Sequence, residues 1–147
     1  MKATISTIIH ANGNKMWEEL QKTSSLMYVA SPILIFKSQD GRELPSKWEV
    51  EREYPLKVYT FNIVPLGKHY IIVKRIDAKN KEIFTNEFGS LTKTWNHLVR
   101  VHVLGENIIK YTDEIEIKAG MLTAFIWMFA QVFYRHRQRK WKKLLTR

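Results

Sequence analysis

The sequence of 147 residues contains no cysteine and few residues that interrupt regular structure, with six Gly and four Pro. Without a thiol the chain cannot form a disulfide, a thiolate zinc site, an iron–sulfur cluster or a cysteine nucleophile. Collagen-like and low-complexity chains need far more Gly and Pro, and disordered chains have a lower apolar content than the 45% found here. We therefore expect one domain over residues 1–147 with a single apolar core.

Long hydrophobic runs are also missing. The longest apolar stretch, MLTAFIWMFAQVFY from Met121 to Tyr134, has 14 residues, whereas a membrane-spanning helix needs about 20. We expect a buried core helix there and no transmembrane segment. The N-terminal segment MKATISTIIHANGNK alternates in polarity and is not typical of a signal peptide. The expected location is cytoplasmic.

Negative charge is absent from the end of the chain, because no acid follows Glu116. The sequence has 24 Lys and Arg against 14 Asp and Glu, and seven of these cations lie between Arg135 and Arg147. The residues predicted to contact an anionic membrane surface are Arg135, Arg137, Arg139, Lys140, Lys142 and Lys143. Trp141 would accompany them in that role, although its helical position favours packing in the core. Whether Arg137 faces the cavity mouth or the sheet edge stays open. A solvated helix end, favoured by the helix dipole, is the alternative. Nothing supplies base readout, so nucleic acid is not an expected partner.

The first third of the chain predicts a strand and two short helices. The expected elements are a strand from Lys2 to Ile9, a helix from Lys15 to about Gln21 and a second helix through Val29. Asn12 or Asn14 can cap the first helix, and Thr23 or Ser24 the second. Pro32 ends the second helix.

From residue 33 to residue 118 the apolar stretches are β-branched or aromatic with a period of two. Turn signals recur at Asp40-Gly41, Tyr54-Pro55, Pro65-Leu66-Gly67, Ala78 to Lys81, Gly89-Ser90 and Gly105-Glu106. This pattern predicts about six antiparallel strands in a meander, followed by a helix from about Met121 to Leu145. The helix would cover the sheet with a stripe of Leu122, Phe125, Ile126, Phe129, Val132, Phe133 and His136. The fold class is α+β, with a curved sheet of about seven strands wrapped on the last helix.

This order of elements resembles a known superfamily. The segments that carry the resemblance are PSKWEVEREY, VPLGKHYIIVKRID, TWNHLVRVHV, YTDEIEIKAGMLT and FYRHRQRKW. They are similar to START-like, helix-grip (SRPBCC) proteins, which include the birch-pollen allergen, lipid-transfer domains and polyketide cyclases. The resemblance covers essentially the whole chain. It implies a cavity between sheet and C-terminal helix for a lipid, sterol or polyketide, and it implies no single reaction.

Strand parity predicts which side chains face this cavity, because alternate residues of a strand share a face. In residues 91–104 and 107–118 the odd positions hold most of the apolar residues, and His97 and Asp113 share their parity. A three-residue turn between these strands would place Val99 opposite Asp113 and His97 diagonal to it. Further residues expected to point inward are His69, Ile71, Val73, Tyr59, Phe61, Ile63, Trp48, Val50 and Tyr54. The direction of Glu87 stays open.

The candidate ligand-binding residues are Trp48, Tyr59, Phe61, His69, Glu87, Trp95, His97, Val101, Tyr111, Asp113, Phe125 and Phe129. His97 and Asp113 allow three interpretations: a buried structural pair, a polar anchor for a ligand, or a general base with its orienting carboxylate. Metal binding by His69, His97 and Glu87 is stereochemically possible but has no recognised spacing, and we expect neither a metal nor a cofactor.

Three functions follow from these interpretations. The first is binding, with possible transport, of a hydrophobic or amphipathic small molecule. The second is a polyketide cyclase-like or dehydratase-like enzyme that uses His97 and Asp113. The third is a partner-binding module of the co-chaperone type. Phosphate-binding loops and the GxSxG and HExxH motifs are absent from the sequence, so binding is favoured over catalysis.

Overall fold

A computed structural model describes residues 1–146 of the chain. The strands are β1 Lys2–Ile9, β2 Leu34–Ser38, β3 Glu53–Thr60, β4 Val64–Asp77, β5 Glu82–Gly89, β6 Thr94–Gly105 and β7 Ile108–Lys118. The helices are α1 Gly13–Leu20, α2 Thr23–Ala30 and α3 Thr123–Thr146, and a 3-10 turn, Gly120–Leu122, precedes α3. The predicted α+β helix-grip architecture is confirmed.

The seven strands form one antiparallel sheet in the order β1-β7-β6-β5-β4-β3-β2. Consecutive strands from β2 to β7 pair antiparallel. Short turns join the strands from β3 to β7, and residues 39–52 form a longer connection between β2 and β3. β1 and β2 therefore lie at opposite edges, and α1 and α2 carry the chain from one edge to the other. α3 packs on the concave face, which leaves room between helix and sheet.

The helix N-termini follow the capping prediction in one case and depart from it in the other. The side chain of Asn12 accepts hydrogen bonds from the backbone N–H of Asn14 and of Lys15, so it caps α1 as predicted. The N-cap of α2 is Lys22, which makes no side-chain capping bond, and the predicted cap by Thr23 or Ser24 is wrong. The Thr23 hydroxyl instead donates to the carbonyl of Pro45 at 2.6 Å and ties down the loop before β3.

Two predicted turns lie inside strands instead. Pro55 lies in β3, and its carbonyl accepts a hydrogen bond from the N–H of Gln39. The proline nitrogen, which carries no hydrogen, faces the side of β3 where the pairing with β2 has ended, so no ladder hydrogen bond is lost. Pro65 stands in β4 beside a β-bulge, a position that tolerates proline. The chain reverses at residues 61–63, where Phe61 and Asn62 have φ angles of 52° and 57°.

The predicted stripe on α3 is rotated relative to the face that the structure buries. The buried residues are Ile126, Ala130, Phe133, Tyr134, Arg137, Gln138, Trp141, Leu144 and Leu145. Leu122 and Val132 are exposed, and His136 bonds to the carbonyl of Ser31 at the edge of this face. The apolar run from Met121 to Tyr134 is thus only partly buried. No helix within residues 1–146 is long and apolar enough to cross a membrane.

Candidate functional site

A cavity of about 320 Å³ lies between the concave face of the sheet and α3. Its walls are mostly apolar, and its few polar side chains come from β3 to β6, the connection between β5 and β6, and α3. The candidate residues that line it are Trp48, His69, Glu87, Trp95, His97, Phe125 and Phe129. Glu87 therefore points inward, because it shares the inner face of β5 with Ile83 and Thr85.

The other five candidates do not line the cavity. Tyr59 lies on the outer face of β3, where Lys37 stands 5.0 Å above its ring. Phe61 lies in the turn after β3 and is 58% exposed. The prediction that both face inward is wrong because β3 continues through Pro55, which makes Tyr54, Leu56 and Val58 the inward residues.

Val101, Tyr111 and Asp113 have the predicted inward parity but are closed off from the cavity. Val101 and Tyr111 belong to the packed core, where the Tyr111 ring lies 6.2 Å from that of Trp141. Asp113 is fully buried behind His97. Two other residues predicted to face inward, Val50 and Ile63, are exposed, because both stand in the irregular segments on either side of β3.

The predicted meeting of His97 and Asp113 is confirmed. Val99 pairs with Asp113 in the β6–β7 ladder, and Nε2 of His97 lies 2.6 Å from Oδ1 of Asp113. The Tyr111 hydroxyl donates to the same oxygen at 2.9 Å, and Nε2 of Gln138 donates to Oδ2 at 3.1 Å. Asp113 is thus held by three donors from β6, β7 and α3.

A second pair joins β4 and β5 across the cavity wall. Nε2 of His69 lies 2.8 Å from Oε1 of Glu87, and the Thr85 hydroxyl donates to Oε2 at 2.7 Å. Among residues 1–146, no three His, Asp or Glu side chains are arranged to hold a metal ion. Each of the two pairs is a hydrogen-bonded unit.

Both carboxylates stay ionised. Burial by itself raises the pKa of Glu87, but the hydrogen bond and the electrostatic attraction of His69 outweigh it and leave the pKa below its ordinary value. Burial likewise raises the pKa of Asp113, and His97 and Arg137 more than offset it. His97 therefore donates from Nε2 to Asp113, and its ring also lines the cavity. This geometry suits either ligand binding or proton abstraction.

α3 contributes polar residues that the stripe prediction missed, namely Tyr134, Arg137 and Gln138. Tyr134 and Arg137 line the cavity, and Gln138 bonds to Asp113 and to the carbonyl of Ile5. The helical spacing of the sequence does indicate this buried face. Positions 126, 130, 133, 137, 141 and 145 lie three or four residues apart and form one continuous face of a helix, provided that the charge of Arg137 is not assumed to exclude it.

Arg137 and Trp141 do not belong to the basic surface that the sequence suggested. They are only 4% and 1% exposed, because they lie on the face of α3 that packs against the sheet. Lys140 lies over the ring of Tyr28, with Nζ 4.1 Å from its centroid. Of the six cations predicted to contact a membrane, four are exposed, namely Arg135, Arg139, Lys142 and Lys143. Their contact with an anionic membrane stays a prediction.

The cavity opens beside the N-terminal end of α3. Phe125 and Leu91 line it and are 72% and 46% exposed, and the exposed Lys68 stands with them. Met121, in the 3-10 turn directly before α3, adds a further exposed apolar side chain. The mouth is therefore apolar with a cationic edge.

Searches by sequence find no match, either to a protein-family model or to a curated protein. Comparison of structures finds many. A protein from Chromobacterium violaceum superposes with a TM-score of 0.77 at 8% identity, covering 98% of this chain and 96% of the other. A START superfamily protein from Mycobacterium smegmatis gives 0.69 at 10% identity, covering 99% and 97%.

This chain has the START-like, helix-grip fold. A further similar structure is norcoclaurine synthase from Thalictrum flavum in complex with dopamine and hydroxybenzaldehyde, with a TM-score of 0.68, 12% identity and coverage of 99% and 86%. At these identities the likeness concerns the fold.

Proposed function

We propose that the protein binds a hydrophobic or amphipathic small molecule in the cavity between the sheet and α3. The main support is a cavity of about 320 Å³ with apolar walls, since packed interiors leave few voids larger than a water molecule. Small-molecule sites are typically cavities of about 300–1,000 Å³ with a few polar groups on apolar walls. The volume lies near the lower limit, which favours a single-chain or few-ring ligand over a diacyl lipid.

The side chains that would hold such a ligand come from all sides of the cavity. Trp48 and Phe129 offer apolar surface, and His69 and His97 stand on the inner face of the sheet with their carboxylate partners behind or beside them. Phe125 lies at the mouth, where a ligand would enter. Transport would additionally require release, which an opening at the end of α3 permits.

A bulky substitution in the wall tests this function. Leu66 lines the cavity, and Leu66→Trp should fill it. We expect wild-type protein to unfold at a higher temperature with a saturating ligand, since ligand at 100 times Kd stabilises by about 2.7 kcal/mol. The Leu66→Trp variant should lose at least ten-fold in affinity. Leu104→Trp is the matched control, because Leu104 is exposed and remote from the cavity.

The ligands to screen are fatty acids, sterols and aromatic polyketides, by thermal shift and then by isothermal titration calorimetry. The proposal fails if none of them raises the unfolding temperature of the wild-type protein. It also fails if Leu66→Trp binds the best ligand as tightly as Leu104→Trp does.

A further inference from the structure

Arg137 is a buried cation whose hydrogen-bond donors have no partner. It is 4% exposed and lines the cavity. Within residues 1–146, Nε is enclosed without a hydrogen-bond partner, and no hydrogen bond or ion pair involves Nη1 or Nη2. The terminal nitrogens are not enclosed, so they border the cavity. Nε1 of Trp141 also lacks a hydrogen-bond partner, but it is an uncharged group on a ring that packs in the core, 6.2 Å from the ring of Tyr111.

The carboxylates near Arg137 are already committed to other donors. Oδ1 and Oδ2 of Asp113 accept from His97, Tyr111 and Gln138. Both oxygens of Glu87 also accept hydrogen bonds. Each carboxylate attracts Arg137 through space, yet neither satisfies its N–H groups.

Aromatic rings hold the guanidinium in place without using its donors. Its central carbon lies 5.1 Å from the ring centroid of Tyr134 and 5.9 Å from that of Phe133. A cation over a ring gains electrostatic attraction, but the N–H groups point along the guanidinium edge and stay open. Buried charged groups are ordinarily both paired and hydrogen-bonded. The open edge of Arg137 therefore lacks an acceptor that a ligand could supply.

We propose that Arg137 binds the carboxylate of an amphipathic monoanion, which lies with its acid group inside the cavity and its apolar part toward the mouth. This inference rests on the proposed function and specifies the class of ligand. A planar guanidinium binds a carboxylate through two parallel hydrogen bonds. A phosphate dianion is disfavoured, because Asp113 and Glu87 already place two negative charges near Arg137.

The arrangement of α3 fits this orientation. Phe125, Phe129, Phe133 and Arg137 follow one another every four residues along the cavity side of α3, and the 12 residues from first to last span about 18 Å. The Tyr134 hydroxyl accepts from Nε1 of Trp95 at 2.8 Å. Burial raises its pKa, so the hydroxyl keeps its proton and can donate it to the same carboxylate.

Calorimetry with ligands of equal chain length tests the inference. The protein, stripped of bound lipid by organic extraction and refolding or by hydrophobic chromatography, is titrated with dodecanoate, dodecanol and dodecyl phosphate. We expect the wild-type protein to bind dodecanoate at least ten-fold more tightly than either of the others. Arg137→Met should reduce the affinity for dodecanoate at least ten-fold and leave that for dodecanol unchanged, with Arg137→Lys in between.

Arg135→Met is the matched control, since it removes the same charge from the exposed face, where Arg135 bonds to Gln131. It should bind dodecanoate as the wild-type protein does. The preference of the wild-type protein for acid over alcohol needs no variant, so the test holds even if Arg137→Met fails to fold. Equal binding of dodecanoate and dodecanol overturns the role of Arg137 and leaves the proposed function intact. Binding of none of the three, together with no binding in the wider screen, overturns both.

Discussion

The two halves of α3, residues 123–134 and 135–146, differ in how composition relates to burial. Large apolar side chains are exposed in the first half, and a charged side chain is buried in the second. Residues 123–134 are almost entirely apolar, yet Phe125, Met128 and Val132 are 72%, 62% and 62% exposed. Residues 135–146 hold six cations, yet Arg137 and Trp141 are 4% and 1% exposed. Burial follows the neighbours of each side chain. Phe125 borders the cavity mouth, whereas Met128 and Val132 lie outside the cavity lining and face away from the sheet. The second half packs against α2 and the core around Met16 and Tyr111.

The second half of α3 therefore contributes mainly to the stability of the fold, and the first half contributes mainly to the cavity. The second half carries Trp141, Leu144 and Leu145, which join the core around Met16 and Tyr111. The first half offers apolar surface to a cavity, where a ligand rather than the protein would cover it. Arg137 lies at the junction of the two, which is why it combines burial with open donors.

The largest expected effect compares one aromatic residue from each half. Trp141→Ala should lower the free energy of unfolding by about 3–5 kcal/mol, because it leaves a cavity in a packed core. Phe125→Ala should change it by less than about 0.5 kcal/mol, because the side chain is largely exposed. Urea denaturation followed by circular dichroism measures both. Equal losses in the two variants would contradict the division between the halves.

A second prediction concerns the carboxylate that ties the second half to the sheet. Asp113→Ala leaves the donors of His97, Tyr111 and Gln138 without an acceptor, and we expect a loss of about 3 kcal/mol in the free energy of unfolding. Asp40 is exposed in the turn after β2, and Asp40→Ala serves as the control with a much smaller effect. A loss no larger than that of the control would show that the buried network contributes little.

The sequence predicted the sheet and the His97–Asp113 contact because both depend on local rules. A short turn between β6 and β7 fixes their register, and the alternation of apolar residues fixes the inward face. These features placed Val99 opposite Asp113 without any tertiary information.

The wrong predictions of side-chain direction arise where a local sequence feature is compatible with two structures. Pro55 was interpreted as a turn, which reset the strand parity and turned Tyr59 and Phe61 inward. In the structure a sheet edge accommodates this proline. The sequence groups Arg137 with the basic helix end and leaves open whether its side chain faces the cavity mouth or the sheet edge, because charged residues are rarely fully buried. The packing of α3 on the sheet, which the sequence does not reveal, is what makes the buried face of the helix include position 137.

The smallest expected effect is on pH dependence. The folded pKa of Glu87 lies below its ordinary value of 4.5, so the unfolded state binds more protons as the pH falls through this range. The stabilisation is therefore complete above about pH 5 and is lost as the pH falls through the folded pKa. Glu87→Gln should flatten the fall of the unfolding free energy in acid, whereas the exposed control Glu43→Gln should not. Denaturation curves between pH 2 and pH 7 measure this, and identical slopes would contradict it.

Native mass spectrometry of the purified protein tests the central claim most directly. We predict a complex with one small molecule per chain, and organic extraction should release an apolar compound that bears a single carboxylate. A protein that carries no ligand, and whose unfolding temperature no fatty acid, sterol or aromatic polyketide raises, would contradict the claim that the cavity is a binding site.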